Sequence, residues 1–263
     1  MQEDFSKYNG EGTVLRKAQT RMLDILIEVD KICRKHDIAY WLDGGTCLGA
    51  VRHKGFIPWD DDIDIAVMRN DYKRLRNILK RELPANMAFQ DETTEKRYPS
   101  KQAKVRDRNS CFEEAEIKAT LKEQGIFIDI FPIEKGYVKV KTFIDFFYGR
   151  AFRRLRRHAG NKKEYIAALM MWPFACAMVG AARFFNFLIP AGNLIYGYGI
   201  PTLNKYQLRA EDFFPTKPVL FENHEFMAPA NPDAYLKLLY GDYMQIPPKE
   251  KRRVHASTIK FFD

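Results

Sequence analysis

Between Thr13 and Lys35 the apolar residues Val14, Ala18, Met22, Ile25, Leu26, Val29, Ile32 and Cys33 recur every three or four positions. That spacing predicts an amphipathic helix, with Thr13 as its N-cap. The period then shortens. "AYWL" at 39–42 reads as a strand ending at Gly44-Gly45, "TCLGAVRHKG" at 46–55 as a short helix closed by Gly55, and "IDIAVM" at 63–68 as the next strand. "NDYKRLRNILKREL" predicts a surface helix stopped by Pro84, and "MAFQ", "AKVR" and "GIFIDIFPI" supply further strand signals. Strands and helices mix without strict βαβ alternation. The expected class is therefore α+β (mixed α/β): a small mixed sheet flanked by helices, spanning residues 13–135.

After Lys135 the pattern changes. Ile144, Tyr148, Ala151 and Leu155 keep helical spacing, and Arg150, Arg153, Arg154 and Arg157 form a second, basic stripe. Residues 165–182 carry no charge and contain Pro173, and a second uncharged run follows Arg183 as far as Asn204. Residues 136–204 thus read as a basic and apolar, mainly helical segment, and 205–263 as a polar C-terminal segment. Three readings of the apolar runs stand side by side: an ordinary buried helix pair, a monotopic patch in the membrane interface steered to anionic lipid by the arginines, and a true span.

A length of 263 residues is enough for one substantial core with an appended subdomain. With 46% hydrophobic and 29% charged residues, global disorder is excluded. The net charge of +9 implies an anionic partner without choosing among nucleotide, nucleic acid, phosphorylated glycan and membrane surface. Cys33, Cys47, Cys111 and Cys176 form no CxxC pair and have no histidine at ligand spacing, which argues against a zinc site and a disulfide framework. Together with the lack of a signal peptide, this predicts a cytoplasmic protein.

The chemistry concentrates in "DGGTCLGAVRHKGFIPWDDDIDIAVM" at 43–68. Side chains alternate along a strand, so Asp60, Asp62 and Asp64 share one face while Asp61 and Ile63 point the other way. Carboxylates at i and i+2 lie roughly 6.6 Å apart, close enough to share one or two divalent cations. Magnesium, with manganese as the alternative, suits carboxylate oxygen and completes its shell with phosphate and water. Asp129, in the apolar "GIFIDIFPI", is costly to bury without a partner. A metal shared with Asp62 and Asp64 would supply one; pairing with a lysine is the alternative. Gly44, Gly45 and Thr46, between a strand and a helix, let the backbone approach a phosphate closely, and a helix N-terminus adds N–H donors and a positive dipole.

This arrangement resembles the nucleotidyltransferase fold. More narrowly, "LDGGTCLGAVRHKGFIPWDDDIDIAV", "KVRDRNS" at 104–110, "GIFIDIFPI" at 125–133 and "PPKEKRRVH" at 247–255 resemble the LicD family, which includes the fukutin-type transferases. The resemblance covers about residues 20–135 with the tail as a second patch. It implies transfer of a phospho-alcohol, often phosphocholine from CDP-choline, onto a cell-surface glycan or its lipid-linked precursor. It also implies Asp62 and Asp64 as magnesium ligands, Asp129 as third ligand or general base, and Gly44, Gly45 and Thr46 facing the donor diphosphate.

Other candidates carry two readings each. Arg52, His53 and Lys54 suit phosphate recognition or form a solvated basic helix end. Trp59 stacks on a base or a quaternary ammonium, or anchors packing. Lys104 and Arg106 share a strand face and either neutralise the diphosphate or line a solvated edge strand. His255, with Arg252 and Arg253, closes over the substrate as a lid or lies on the surface; the lid reading has residues 205–263 returning to the active site. A single membrane span would put His255 across the bilayer from the aspartates. The expected enzyme is a magnesium-dependent phosphotransferase in the cytoplasm, peripheral to the inner face of the membrane under the monotopic reading. The rivals are a nucleotidyltransferase releasing pyrophosphate and a non-catalytic membrane- or RNA-binding module with a structural metal. No repeated aromatic-basic platform supports nucleic-acid binding.

Overall fold

The computed structural model describes residues 4–95, 98, 100–114, 121–157, 162–188, 194–198, 206–252 and 256–262. A short helix α1 (Ser6–Asn9) precedes α2 (Val14–Lys35), which starts where expected, with the Thr13 side chain accepting from the Arg16 N–H at 3.1 Å. There follow β1 (Tyr40–Leu42), α3 (Gly44–His53), β2 (Asp64–Met68), α4 (Arg69–Glu82), β3 (Met87–Gln90), β4 (Ala103–Asp107), β5 (Ser110–Glu114) and β6 (Phe127–Lys135). A helical hairpin, α5 (Val138–Arg157) and α6 (Lys162–Leu188), leads to β7 (Leu194–Tyr198). The C-terminal part holds β8 (Leu208–Arg209), α7 (Ala210–Phe213), β9 (Lys217–Phe221), β10 (His224–Ala228), α8 (Pro232–Tyr240), one 3₁₀ turn and β11 (Ala256–Phe261).

The central sheet runs β1-β2-β6-β4-β3, with β7 added at β6 and β8 added at β7. Only the β2–β6 pair of this sheet is parallel; the other neighbours are antiparallel. Parallel neighbours need a long connection, and here α4, β3, β4 and β5 all lie between β2 and β6 in the chain. α2 lays Met22, Ile25, Leu26 and Val29 across β4 and β6, all fully buried. They share a core with Ile65, Val67, Ile128 and Ile130 of β2 and β6.

Three expectations are corrected. α3 begins at Gly44, two residues earlier than read, and closes at Lys54 in the left-handed conformation (φ 60°) rather than at Gly55. β4 lies between β6 and β3, so Lys104 and Arg106 sit on an interior strand and not on a solvated edge. Residues 194–198, within the segment expected to be helical, form a strand, because β6 runs on past β2 and β4 and leaves its last residues open to pairing. The α5–α6 hairpin buries one narrow stripe, Ile144, Tyr148 and Phe152 against Ala175, Val179 and Ala182, and leaves most of α6 exposed. The pair is therefore not an ordinary buried one.

Backbone crowding at the β4–β6 junction gives a stability prediction. A Cβ on Gly125 would lie 1.6 Å from the Asp107 carbonyl oxygen, and Gly125 O also accepts from Arg106 Nη1 at 2.6 Å. Gly125→Ala forces two backbones apart and is expected to cost about 3 kcal/mol or more. At this chain length that corresponds to a Tm lower by roughly 6–12 °C. A thermal melt within 2 °C of wild type would show that the junction relaxes freely.

Candidate active site

The site forms where β2, β6 and the first turn of α3 meet. Asp64 opens β2, and Asp129 is its register partner on the parallel β6. Neighbouring strands lie about 4.8 Å apart, so two carboxylates are held side by side. The residues before β2 keep the predicted alternation without being in a ladder: Asp61 and Ile63 are buried, while Asp60, Asp62 and Asp64 are half-buried. Asp61 turns inward, and its Oδ2 accepts from the Ala256 N–H at 2.6 Å.

Local hydrogen bonds fix this end of the sheet. Thr46 Oγ1 accepts from the Asp64 N–H at 2.8 Å, and the Asp43 N–H donates to Asp64 O at 2.9 Å. The Thr46 hydroxyl, expected at the donor diphosphate, thus clamps α3 to β2. Asp43 is the N-cap of α3, yet its side chain makes no capping bond to the helix. Its Oδ1 instead accepts from Tyr235 Oη at 2.5 Å and from Trp41 Nε1 at 3.3 Å. The Gly44 N–H donates to the same Tyr235 oxygen at 3.1 Å. With Asp43 turned away, the first-turn amides of α3 face the site without a capping carboxylate. At Gly45 an added Cβ would stand 3.0 Å from Asp60 Oδ2, so the missing side chain is what lets Asp60 reach the helix start.

The charges concentrate strongly. Asp64 is held well above the usual carboxylate range, first by burial and then by the negative charges of Asp62, Asp129, Asp43 and Asp60. Burial, and after it the charges of Asp43, Asp64, Asp60 and Asp62, also push the Tyr240 phenol upward. Lys104 supplies countercharge: its Nζ lies 3.1 Å from Asp129 Oδ2, and the two residues are register partners on β4 and β6. The lysine alternative weighed for Asp129 is realised in this structure. Lys104 also covers the Phe127 ring at 3.2 Å from its centroid.

Among the described residues no three histidine, cysteine, aspartate or glutamate side chains stand as a ready-made metal cage. The chemistry of the donor set nevertheless fits a hard divalent cation: the groups crowding Asp64 are all carboxylates, and their mutual repulsion is what a cation relieves.

Other candidates lie elsewhere. Arg52 stands about 12 Å along α3 from Gly44, and its Nη1 donates to the carbonyls of Tyr243 and Gln245 at 2.6 and 3.3 Å. Its Nε donates to His53 Nε2 at 2.9 Å, and burial followed by the Arg52 charge lowers His53 to about 4. The structure does not bring either residue to the carboxylates. Trp59 is buried, packed against Phe5 and Tyr8, and covered by the Arg252 guanidinium at 4.5 Å. Its face is therefore engaged in packing. Arg106 is buried between Gln90, Gly125 and the Phe127 ring. Arg253 and His255 lie outside the described residues. The sequence reading did not single out Asp43, Tyr235 or Tyr240. For Asp43 a signal existed, an aspartate at the N-cap of a glycine-initiated helix; Tyr235 and Tyr240, in a plain helix, carried none.

The class that fold and site define is a mixed α/β core with carboxylates gathered at the start of one strand beside a glycine-initiated helix. The family described as LicD/FKTN/FKRP, nucleotidyltransferase domain, matches residues 37–183, more than half of the chain, and the chain belongs to it. It is 29% identical over 260 residues to the lipopolysaccharide cholinephosphotransferase LicD of Haemophilus influenzae, covering 92% of this chain and 95% of that protein. The human ribitol 5-phosphate transferase FKRP is 50% identical over 34 residues, 13% of this chain and 7% of its own. The human ribitol-5-phosphate transferase FKTN is 33% identical over 73 residues, 26% and 15% respectively.

The raised Asp64 carboxyl predicts a pH signature. The unfolded chain loses this proton near the ordinary carboxylate value, the folded chain only at higher pH. Between those two values folding takes up a proton, so the stability contribution is present at low pH and is lost as pH rises through the folded-state value. In chelator, Asp64→Asn should melt higher than wild type at pH 8, with the gap narrowing at pH 5 and closing only towards the ordinary carboxylate value. An equal Tm difference at both pH values would rule out the charge repulsion described here.

Proposed function

We propose that the chain is a phospho-alcohol transferase that moves phosphocholine or a similar group from a CDP-activated donor to a hydroxyl of a cell-surface glycan or its lipid-linked precursor. The observation that carries this reading is the juxtaposition of Asp64 and Asp129 on neighbouring strands beside the first turn of α3, in a chain similar over 92% of its length to a lipopolysaccharide cholinephosphotransferase.

The chain's own groups divide the work. The first-turn amides of α3 after Gly44, those of Gly45 and Thr46, would offer N–H donors and the positive end of the helix to the diphosphate. Tyr235 holds that turn in place by accepting from Gly44 and donating to Asp43. Thr46 fixes Asp64, and Lys104 fixes Asp129 and offsets one negative charge. Asp62, Asp64 and Asp129 would hold magnesium, which when bound supplies countercharge for the donor phosphates and the leaving CMP. Asp129 would serve either as third ligand or as the base that takes the proton of the attacking hydroxyl. Positioning and charge stabilisation account for most of the expected acceleration.

The nucleotidyltransferase description of the family keeps one other reading in play, in which pyrophosphate leaves instead of CMP. Titration of CDP-choline, CDP-ribitol, CDP-glycerol and CTP into the protein, with and without magnesium, separates the two. One CDP-alcohol should bind only with magnesium and lose that binding in Asp64→Ala. With that donor, Asp62→Ala should lower CMP release by about 10³-fold while leaving the far-ultraviolet spectrum unchanged. Binding of CTP alone with pyrophosphate release would replace phospho-alcohol transfer by nucleotidyl transfer. Turnover of Asp62→Ala at the wild-type rate would remove the site assignment.

A further inference from the structure

The α5–α6 hairpin has a use that the carboxylate site does not explain. α6 has 27 residues, about 40 Å of helix, and is long and apolar enough to cross a membrane. Only 22% of its most apolar 18-residue window is buried. The buried positions Ala168, Ala175, Val179 and Ala182 form one narrow stripe toward α5. Around it stand Leu169 at 53%, Met170 at 77%, Phe174 at 62% and Phe187 at 80% exposure, with Phe143 of α5 at 62%. Scattered apolar side chains on a surface need no explanation, but a contiguous run along an entire helix does.

We propose that this face is a docking surface for an anionic lipid bilayer, with α6 lying in the interface rather than crossing it. Charge selects the occupant. The bend of the hairpin is strongly basic: five arginines between Arg150 and Arg157 are followed by Lys162 and Lys163, both exposed. A second copy of the chain would bring an equally basic bend against or near the first, whereas phosphate headgroups beside an apolar layer match both features.

The sheet selects the orientation. β6, which precedes the hairpin, and β7, which follows it, are antiparallel neighbours, with Ile133 opposite Tyr198. The chain therefore leaves and re-enters the same sheet, so a single span is excluded. A hairpin inserted bend first would carry the arginines and lysines into hydrocarbon at several kcal/mol each. Lying flat keeps the basic bend at headgroup depth and buries the outer face of α6. The attachment to the core is specific. Arg183 of α6 donates to both carboxylate oxygens of Glu134 at 3.0 and 2.7 Å, and Arg69 donates to the same group at 3.0 Å. Glu134 lies five residues beyond Asp129 on β6, about 17 Å along the strand. The apolar face is thereby rooted at a set distance from the carboxylates, suited to an acceptor presented at a lipid surface.

Co-flotation of the full chain with vesicles tests this directly. The probes are phosphatidylcholine alone and phosphatidylcholine with 30% phosphatidylglycerol, each at low and moderate salt. Wild type should float with the anionic vesicles and much less with the neutral ones. Lys162→Gln with Lys163→Gln should weaken anionic binding roughly 30-fold at low salt. Met170→Glu with Phe174→Glu, both at exposed positions, should abolish binding with an unchanged melt and unchanged donor titration, so that failure here is separate from failure of the transferase reading. Absence of wild-type flotation at either salt would overturn the proposal. So would sedimentation of wild type as a dimer that the Met170→Glu/Phe174→Glu variant dissociates, since the face would then be covered by a second copy.

Discussion

Like charges held together against their own repulsion are the constraint around which this molecule is arranged. Two carboxylates about 5 Å apart repel by roughly 3 kcal/mol at an effective dielectric near 20, and Asp64 feels four such neighbours. A flexible loop would relieve this by moving apart. Here it cannot: Asp64 and Asp129 are pinned by the β2–β6 ladder, Asp64 is clamped from α3 by Thr46, and Asp43 is tied down by Tyr235 and Trp41. The surrounding strands carry Ile65, Val67, Ile128 and Ile130 into the main hydrophobic core, which is where the stability to hold such strain must come from. Lys104 offsets only part of the charge. The remainder is the charge that the proposed cation would offset.

The C-terminal part is a structural partner in that arrangement. The aromatic chain Trp41–Phe213–Tyr235, with ring centroids 5.2 and 5.1 Å apart, backs the Asp43 carboxylate. Glu222, at the turn between β9 and β10, reaches Arg16 of α2 and the Phe56 N–H just after α3. The two ends of α3 are thus both secured from residues more than 150 positions away, the N-terminal end by Tyr235 and the C-terminal end by the carbonyls that hold Arg52. A short helix with glycine at its first two positions has little intrinsic stability; these distant contacts supply what the local sequence lacks.

Legibility from sequence followed the range of the interactions. α2, α4, β1, β2, β3, β4 and β6 were readable because their periodicity is local: the helices repeat one apolar face and the strands are short, largely buried runs. Asp62, Asp64 and Asp129 were readable because charge in or beside an apolar strand conflicts with its surroundings, and such conflict is visible in one dimension. β5 and β11 were not: "SCFEE" and "ASTIKF" have weak alternation, and each is a strand because of the other, with Ile259 opposite Phe112. Arg52 and Trp59 looked like ligand-binding groups by residue type, yet in three dimensions carbonyls from the C-terminal part and the Arg252 guanidinium claim them. Residue chemistry is local information, whereas the partner that uses it is not.

One strand carries both of the molecule's unusual surfaces. β6 presents Asp129 near its start and Glu134 near its end, with β2 paired along residues 129–133 on one side and β4 and then β7 on the other. The hairpin cannot tilt relative to the carboxylates without straining the β6–β7 pairing and the bonds of Arg183 to Glu134, a glutamate that is almost fully buried. Truncating one partner of such a pair leaves an uncompensated charge in the interior, so the joint resists bending more than an exposed ion pair would. Whatever lies against α6 is consequently held at a nearly constant height above the site. A loop-tethered anchor would have allowed the catalytic end to drift; a strand-rooted one makes the orientation of the site toward the covered surface part of the fold.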